Sequence, residues 1–159
     1  MFSKILAAMD TSEMGKDIFA QALSLAEKSN ASLMLLHVLS AEEENSPLPI
    51  PPDLTDFYPV AGNELTLENW REQWEIFERQ GLEILRSHAE EATSAGVSTE
   101  FEQIPGSPGR SICKFARDRQ ADLIVIGHRG RSGLSEMILG SVSNYVLHHA
   151  PCSVLIVQS

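Results

Sequence analysis

The sequence predicts an α/β protein built as a single doubly wound sheet of five parallel strands with helices on both faces. Three observations carry that expectation. Five short apolar runs of strand type alternate with four segments of helical period, and strand–helix–strand repetition implies right-handed crossovers and a parallel sheet. The second run, Ser32–Leu39, is apolar almost without a break, the pattern of a strand covered on both faces. The 159 residues are 43% hydrophobic and 21% charged, enough for one domain with one substantial core.

Each element has its own signal. Lys4 to Met9 reads as a strand ending at Asp10. From Met14, apolar residues recur at Ile18, Ala22 and Leu25, a helical period, with Thr11 or Ser12 placed to cap the helix. After Leu39 the chain turns acidic (Glu42, Glu43, Glu44) and then proline-rich (Pro47, Pro49, Pro51, Pro52, Pro59). Such a segment is neither a core strand nor a core helix, so residues of about 40–66 are expected to form a surface loop or flap. Thr66 then starts a long helix carrying Leu67, Trp70, Trp74, Phe77, Leu82 and Leu85 near one stripe, up to Gly96. The two tryptophans at helical spacing read as packing residues. Val97 to Ile104 is a short strand, and Ser107-Pro108 supplies a cap and a first-turn proline for the next helix, which buries Ile112, Phe115 and Ala116. Asp122–Gly127 is a strand, Ser141–His149 a helix, and Cys152–Val157 the last strand.

Composition excludes several classes. The formal net charge is −10, unsuited to a nucleic-acid polymer, which needs basic faces. Beyond position 122 the only charged residues are Arg129, Arg131 and Glu136. A small positive spot on an acidic chain suits a small anionic ligand. No apolar run approaches the ~18–20 residues that span a bilayer, and the first residues lack a signal-peptide pattern, so no membrane association and a cytoplasmic protein are expected. Cys113 and Cys152 read as free thiols, and the histidines show no metal-ligand spacing.

The chemistry concentrates in Gly127-x2-Gly130-x9-Gly140-Ser141. A strand runs into a turn rich in glycine and arginine, and a second Gly-Ser pair opens a helix. Glycines let backbone N–H groups approach an anion without a Cβ in the way. A helix start adds unpaired donors and the positive end of the helix dipole. That combination reads as a cradle for a nucleotide phosphate. It is not a P-loop, since no lysine follows Lys114, and no G-x-G-x-x-G follows the first strand.

With this context the chain resembles the ATP-binding branch of the universal stress protein family. The resemblance spans Ile5–Asp10, Leu36-His37-Val38, Ala121–Gly127, Gly140–Ser143 and Ala150–Val157, and leaves positions 40 to 70 without a counterpart. It implies an adenine nucleotide alpha hydrolase-like fold and ATP, AMP or ADP as ligand. Asp10 is then expected beside the ribose or phosphates, through a magnesium ion (Mg²⁺), with Ala8 and Met9 also in the nucleotide site. Val38 and Ile126 would border adenine. Gly127, Gly130, Gly140 and Ser141 would hold the phosphates, with further contacts from Val142 and Ser143, and His128 and Arg129 would also belong to the nucleotide site. For Asp10, a purely structural capping role stays open beside the magnesium role.

Three functions follow as alternatives: a regulatory ATP binder of the stress response, a slow ATPase or phosphotransferase using the same pocket, or a partner-binding scaffold for AMP or a cyclic dinucleotide. No general base or nucleophile stands beside the motif, which favours the first. The apolar, β-prone segment Ser153–Val157 is expected at a sheet edge, where an antiparallel copy of itself would pair with it in a homodimer. An unidentified protein partner is compatible with a regulatory role.

Overall fold

A computed structural model describes residues 1–43, 45–47, 61–128 and 139–158, with the backbone alone for 61–66. Its elements are β1 (Lys4–Met9), α1 (Met14–Ser29), β2 (Ser32–Leu39), α2 (Ala61–Ser94), β3 (Thr99–Pro105), α3 (Pro108–Asp118), β4 (Leu123–Gly127), α4 (Ser141–His149) and β5 (Ser153–Val157). Among the described residues, the five strands form one sheet in the order β3-β2-β1-β4-β5, and every pairing is parallel. The expected fold class holds.

The period of two in a strand divides the core between the two faces. Ile5, Ala7, Leu33, Leu35, Leu123 and Val125 pack toward α1 and α2, with Ile18, Phe19 and Leu85. Their neighbours Leu6, Met34, Leu36, Ile124 and Ile126 pack toward α3 and α4, with Ile112, Ala116 and Val146. Both faces of the three central strands are therefore apolar, which is why those strands read as unbroken hydrophobic runs. Strand order reverses between β1 and β4, and the carboxyl ends of these two strands diverge there into a crevice.

Some local expectations are corrected. Neither Thr11 nor Ser12 caps α1; its N-cap is Glu13 and makes no side-chain cap bond. Ser12 is unavailable because its N–H and hydroxyl both bond the Asp10 carboxylate. Ser107 is the N-cap of α3, but its side chain makes no cap bond. The second helix starts at Ala61 rather than Thr66. Its buried stripe runs through Phe77, Leu85, Ala89 and Ala92, whereas Leu67 and Leu82 are exposed. Trp70 and Trp74 stack with ring centroids 5.9 Å apart, and Trp74 meets Phe77 at 5.6 Å. That arrangement matches a packing role.

Candidate functional site

A cleft of about 460 Å³ opens at the carboxyl ends of β1, β2 and β4, where the strand order reverses. Its floor comes from strand ends: Ala8 and Met9 of β1, Leu36 and Val38 of β2, Ile126 and Gly127 of β4. Parallel strands end at one level, so residues far apart in sequence converge there. In β1 and β2, Met9 stands opposite His37.

One wall is the start of α4. Gly140 is its N-cap, at φ −56° and ψ 156°, and Ser141, Val142 and Ser143 form the first turn beside the cleft. First-turn N–H groups have no partner within their helix, and they carry the positive end of its dipole. Among the described residues, no side chain caps them. Ser143, expected near the phosphates, turns its hydroxyl the other way and donates to the Gly127 carbonyl oxygen at 2.6 Å. Ser143 is buried, and it braces the cleft from within. Gly127 is packed so closely on α1 that a Cβ there would strike the side chain of Met14 and come within 3.1 Å of Ile18 Cδ1. Close helix approach, rather than a positive φ, is what requires glycine at this position.

The opposite wall is acidic. Asp10 lies at the cleft, with its Oδ1 accepting the Ser12 N–H at 2.9 Å and the Ser12 hydroxyl. Those bonds orient the carboxylate, and among the described residues nothing donates to Oδ2. An oriented carboxylate with an available oxygen is a donor of the hard type that magnesium takes. Behind Asp10, a Cβ on Gly15 would sit 2.8 Å from the Asp10 carbonyl oxygen, so α1 can start this close to β1 only with glycine there.

Several wall residues carried no signal in the sequence. Met14 and Ile18 come from α1, Pro108 and Ile112 from α3, and Ser40, Glu42 and Glu43 from the segment after β2. Glu43 reaches back to accept the Thr11 N–H at 3.0 Å and pairs with the buried His37 at 3.0 Å. Burial disfavours the charged form of His37. The Glu43 carboxylate, the Gln103 hydrogen bond and the Asp10 charge together outweigh it, so the pKa is raised above the ordinary 6.5. Among the described residues the cleft wall carries these carboxylates and no lysine or arginine.

Of the residues expected at the site, Ala8, Met9, Asp10, Val38, Ile126, Gly127, Gly140, Ser141, Val142 and Ser143 share this one cleft. His128 does not form part of its wall; its N–H donates to Val157 O at 2.8 Å and prolongs the β4–β5 pairing. Arg129 and Gly130 lie outside the described residues, as do Arg131 and the proline-rich part of the 40–66 segment from 48 to 60. Among the described residues no helix is long and apolar enough to cross a membrane.

Comparison with known proteins places this geometry. The model of the universal stress protein family matches residues 1–158. Universal stress protein Sll1388 of Synechocystis sp. is 37% identical over 157 residues, covering 99% of this chain and 98% of that protein. Slr1101 of the same organism is 50% identical over 106 residues, covering 67% and 98% respectively. Among solved structures, the universal stress protein UspA from Lactobacillus plantarum superposes with a TM-score of 0.74 at 22% identity, over 98% of this chain and 97% of its own. A universal stress protein in complex with cAMP gives 0.63 at 23%, over 99% and 97%. A family protein from Arabidopsis thaliana with AMP bound gives 0.61 at 22%, over 98% and 91%.

Proposed function

The chain belongs to the universal stress protein family, and from that premise we propose that it is a regulatory adenine-nucleotide-binding protein acting in the cytoplasm as a homodimer. The observation that carries the proposal is the cleft at the β1/β4 switch point, where the start of α4, uncapped among the described residues, faces the carboxyl ends of the strands. Relatives of the same fold hold cAMP and AMP, which favours the adenine nucleotide class over other anions.

In this reading the phosphates lie on the amides of Gly140 to Ser143, held by hydrogen bonds and the helix dipole. The base lies against Val38 and Ile126, apolar strand ends that can cover an aromatic face. ATP is the preferred ligand, with AMP and ADP as weaker ones. A magnesium ion, when bound, supplies the positive charge that a triphosphate needs beside the acidic wall, and Asp10 is the residue to hold it. No step of hydrolysis is assigned; occupancy itself is the signal, reported to a protein partner through the surface around the cleft. The homodimer forms through β5, which lies at an edge of the sheet and pairs on one side with β4.

Native mass spectrometry of gently purified protein tests the ligand class. An added mass matching an adenine nucleotide is the expected result. Persistent absence of any nucleotide, together with no uptake on adding ATP or AMP, contradicts the proposal and favours a scaffold with an unused cleft.

A further inference from the structure

His37 is buried, and both of its ring nitrogens have partners. Nδ1 lies 2.8 Å from Gln103 Oε1, and Nε2 lies 3.0 Å from each oxygen of Glu43. The direction of these bonds is set from their far ends. Gln103 Nε2 donates to the Glu78 carbonyl at 3.0 Å, so the amide oxygen is turned to His37, where it can only accept. The Glu43 carboxylate can only accept too. Both ring nitrogens therefore carry hydrogen, and His37 in this geometry is an imidazolium. Neutral His37 sets a lone pair against one acceptor or the other.

Glu43 connects this charge to the cleft. Its Oε1 also accepts the N–H of Thr11, the residue after Asp10, and Glu43 itself forms part of the cleft wall. Its N–H bonds Ser40 O, and its carbonyl accepts the Ser46 hydroxyl. A shift of Glu43 is thus felt at Ser40 and Ser46.

We propose that His37 and Glu43 form a proton-operated latch, in which the imidazolium holds the Glu43 carboxylate on the Thr11 amide and so fixes the cleft wall beside Asp10. Both are positioning residues. When His37 loses its proton, the Glu43 side chain, only 9% exposed, keeps its charge without a counter-charge. A buried unpaired carboxylate is costly, and it regains solvation by swinging outward, away from Thr11. The groups facing His37 are Glu43 and Asp10, both favouring the proton, and the uncharged Gln103 of β3 with Phe77 and Gly81 of α2. Since the folded pKa is raised, the latch is closed below the ordinary histidine value of 6.5 and opens as pH rises through the folded value.

The effect on ligand affinity rests on the nucleotide reading above; the latch itself does not, and is read in the ligand-free protein. Imidazole ¹⁵N NMR follows His37 while hydrogen exchange follows the protection factor of the Thr11 amide, both through a pH titration. We expect two ring N–H groups below pH 6.5 and a Thr11 protection factor that falls by about fivefold or more as His37 deprotonates at higher pH. Glu43→Gln should lower the His37 pKa and make Thr11 protection independent of pH. A bare ring nitrogen below pH 6.5, or Thr11 protection unchanged through the titration, overturns the latch. AMP affinity over the same range should weaken in step with Thr11 protection. A flat AMP affinity while protection falls removes the latch's control of the site, and no AMP binding at any pH instead counts against the nucleotide reading.

Discussion

Ser143 Oγ donates a 2.6 Å hydrogen bond to the carbonyl oxygen of Gly127, tying the first turn of α4 to the last residue of β4. This bond sets the distance between the helix start that forms one wall of the cleft and the strand end that forms part of its floor. Ser143→Ala should leave the Gly127 carbonyl without that partner and cost about 1–3 kcal/mol, read as a lower urea midpoint with an unchanged slope. An unaltered midpoint contradicts the bracing role.

Asp10 has two separable effects. Its Oδ1 holds the Ser12 N–H and hydroxyl, so Asp10→Ala should lose about 0.5–1.5 kcal/mol per bond. If the carboxylate also holds magnesium, the same variant should weaken ATP binding mainly when magnesium is present. Titrations with and without the ion check this. An equal loss of affinity in both assigns Asp10 to the loop alone.

His88 should oppose His37 in the pH dependence of stability. Its Nδ1 is buried with no partner among the described residues, and the ring lies tilted by 30° against Phe19 with centroids 4.2 Å apart. Burial, aided by Lys16 and opposed by Glu91, lowers its pKa below 6.5. The unfolded chain then takes up the proton first, so stability falls as pH drops below the ordinary value. His88→Phe should flatten that acid limb. Urea midpoints at about pH 7.5 and about pH 5.5, either side of the usual histidine value, measure it, and an unchanged difference between the two contradicts the assignment.

The edge position of β5 predicts dimers that fail when the strand is damaged. Leu155→Pro removes a backbone N–H from the edge strand and should give monomers by light scattering at concentrations where the wild type is dimeric. Val157 is a poorer place to intervene, because it is 7% exposed and belongs to the core. A wild-type monomer at micromolar concentration contradicts this interface.

The strands were legible because each central one is apolar on both faces, and the cleft because strand ends and helix starts converge at a switch point. Local competition hid the start of α1, where the Asp10 carboxylate takes the Ser12 donors that a cap would need. Ala61-Gly62-Asn63 carries no apolar stripe, so the first turn of α2 left no trace. The His37–Glu43–Gln103 network was illegible for a different reason: Gln103 is 66 residues from His37, and Glu43 is 32 from Thr11. One hint did stand in the chain. Gly81 sits inside a long helix, where glycine costs about 1 kcal/mol relative to alanine. A Cβ there would lie 2.7 Å from His37 Nδ1, so the glycine marks where the helix crosses the buried histidine.

Calorimetric titration of ATP and AMP into the wild type and Gly140→Val tests the proposed nucleotide site most directly. Gly140 is buried at the start of α4 with φ −56°, a conformation open to any residue, so the variant should keep its fold and melting temperature. Its β-branched side chain would instead stand where the phosphates approach. The account predicts one nucleotide per chain in the wild type and at least about a tenfold loss of affinity in the variant, roughly 1.4 kcal/mol. Equal affinity in the two proteins, or no binding by the wild type, would contradict it.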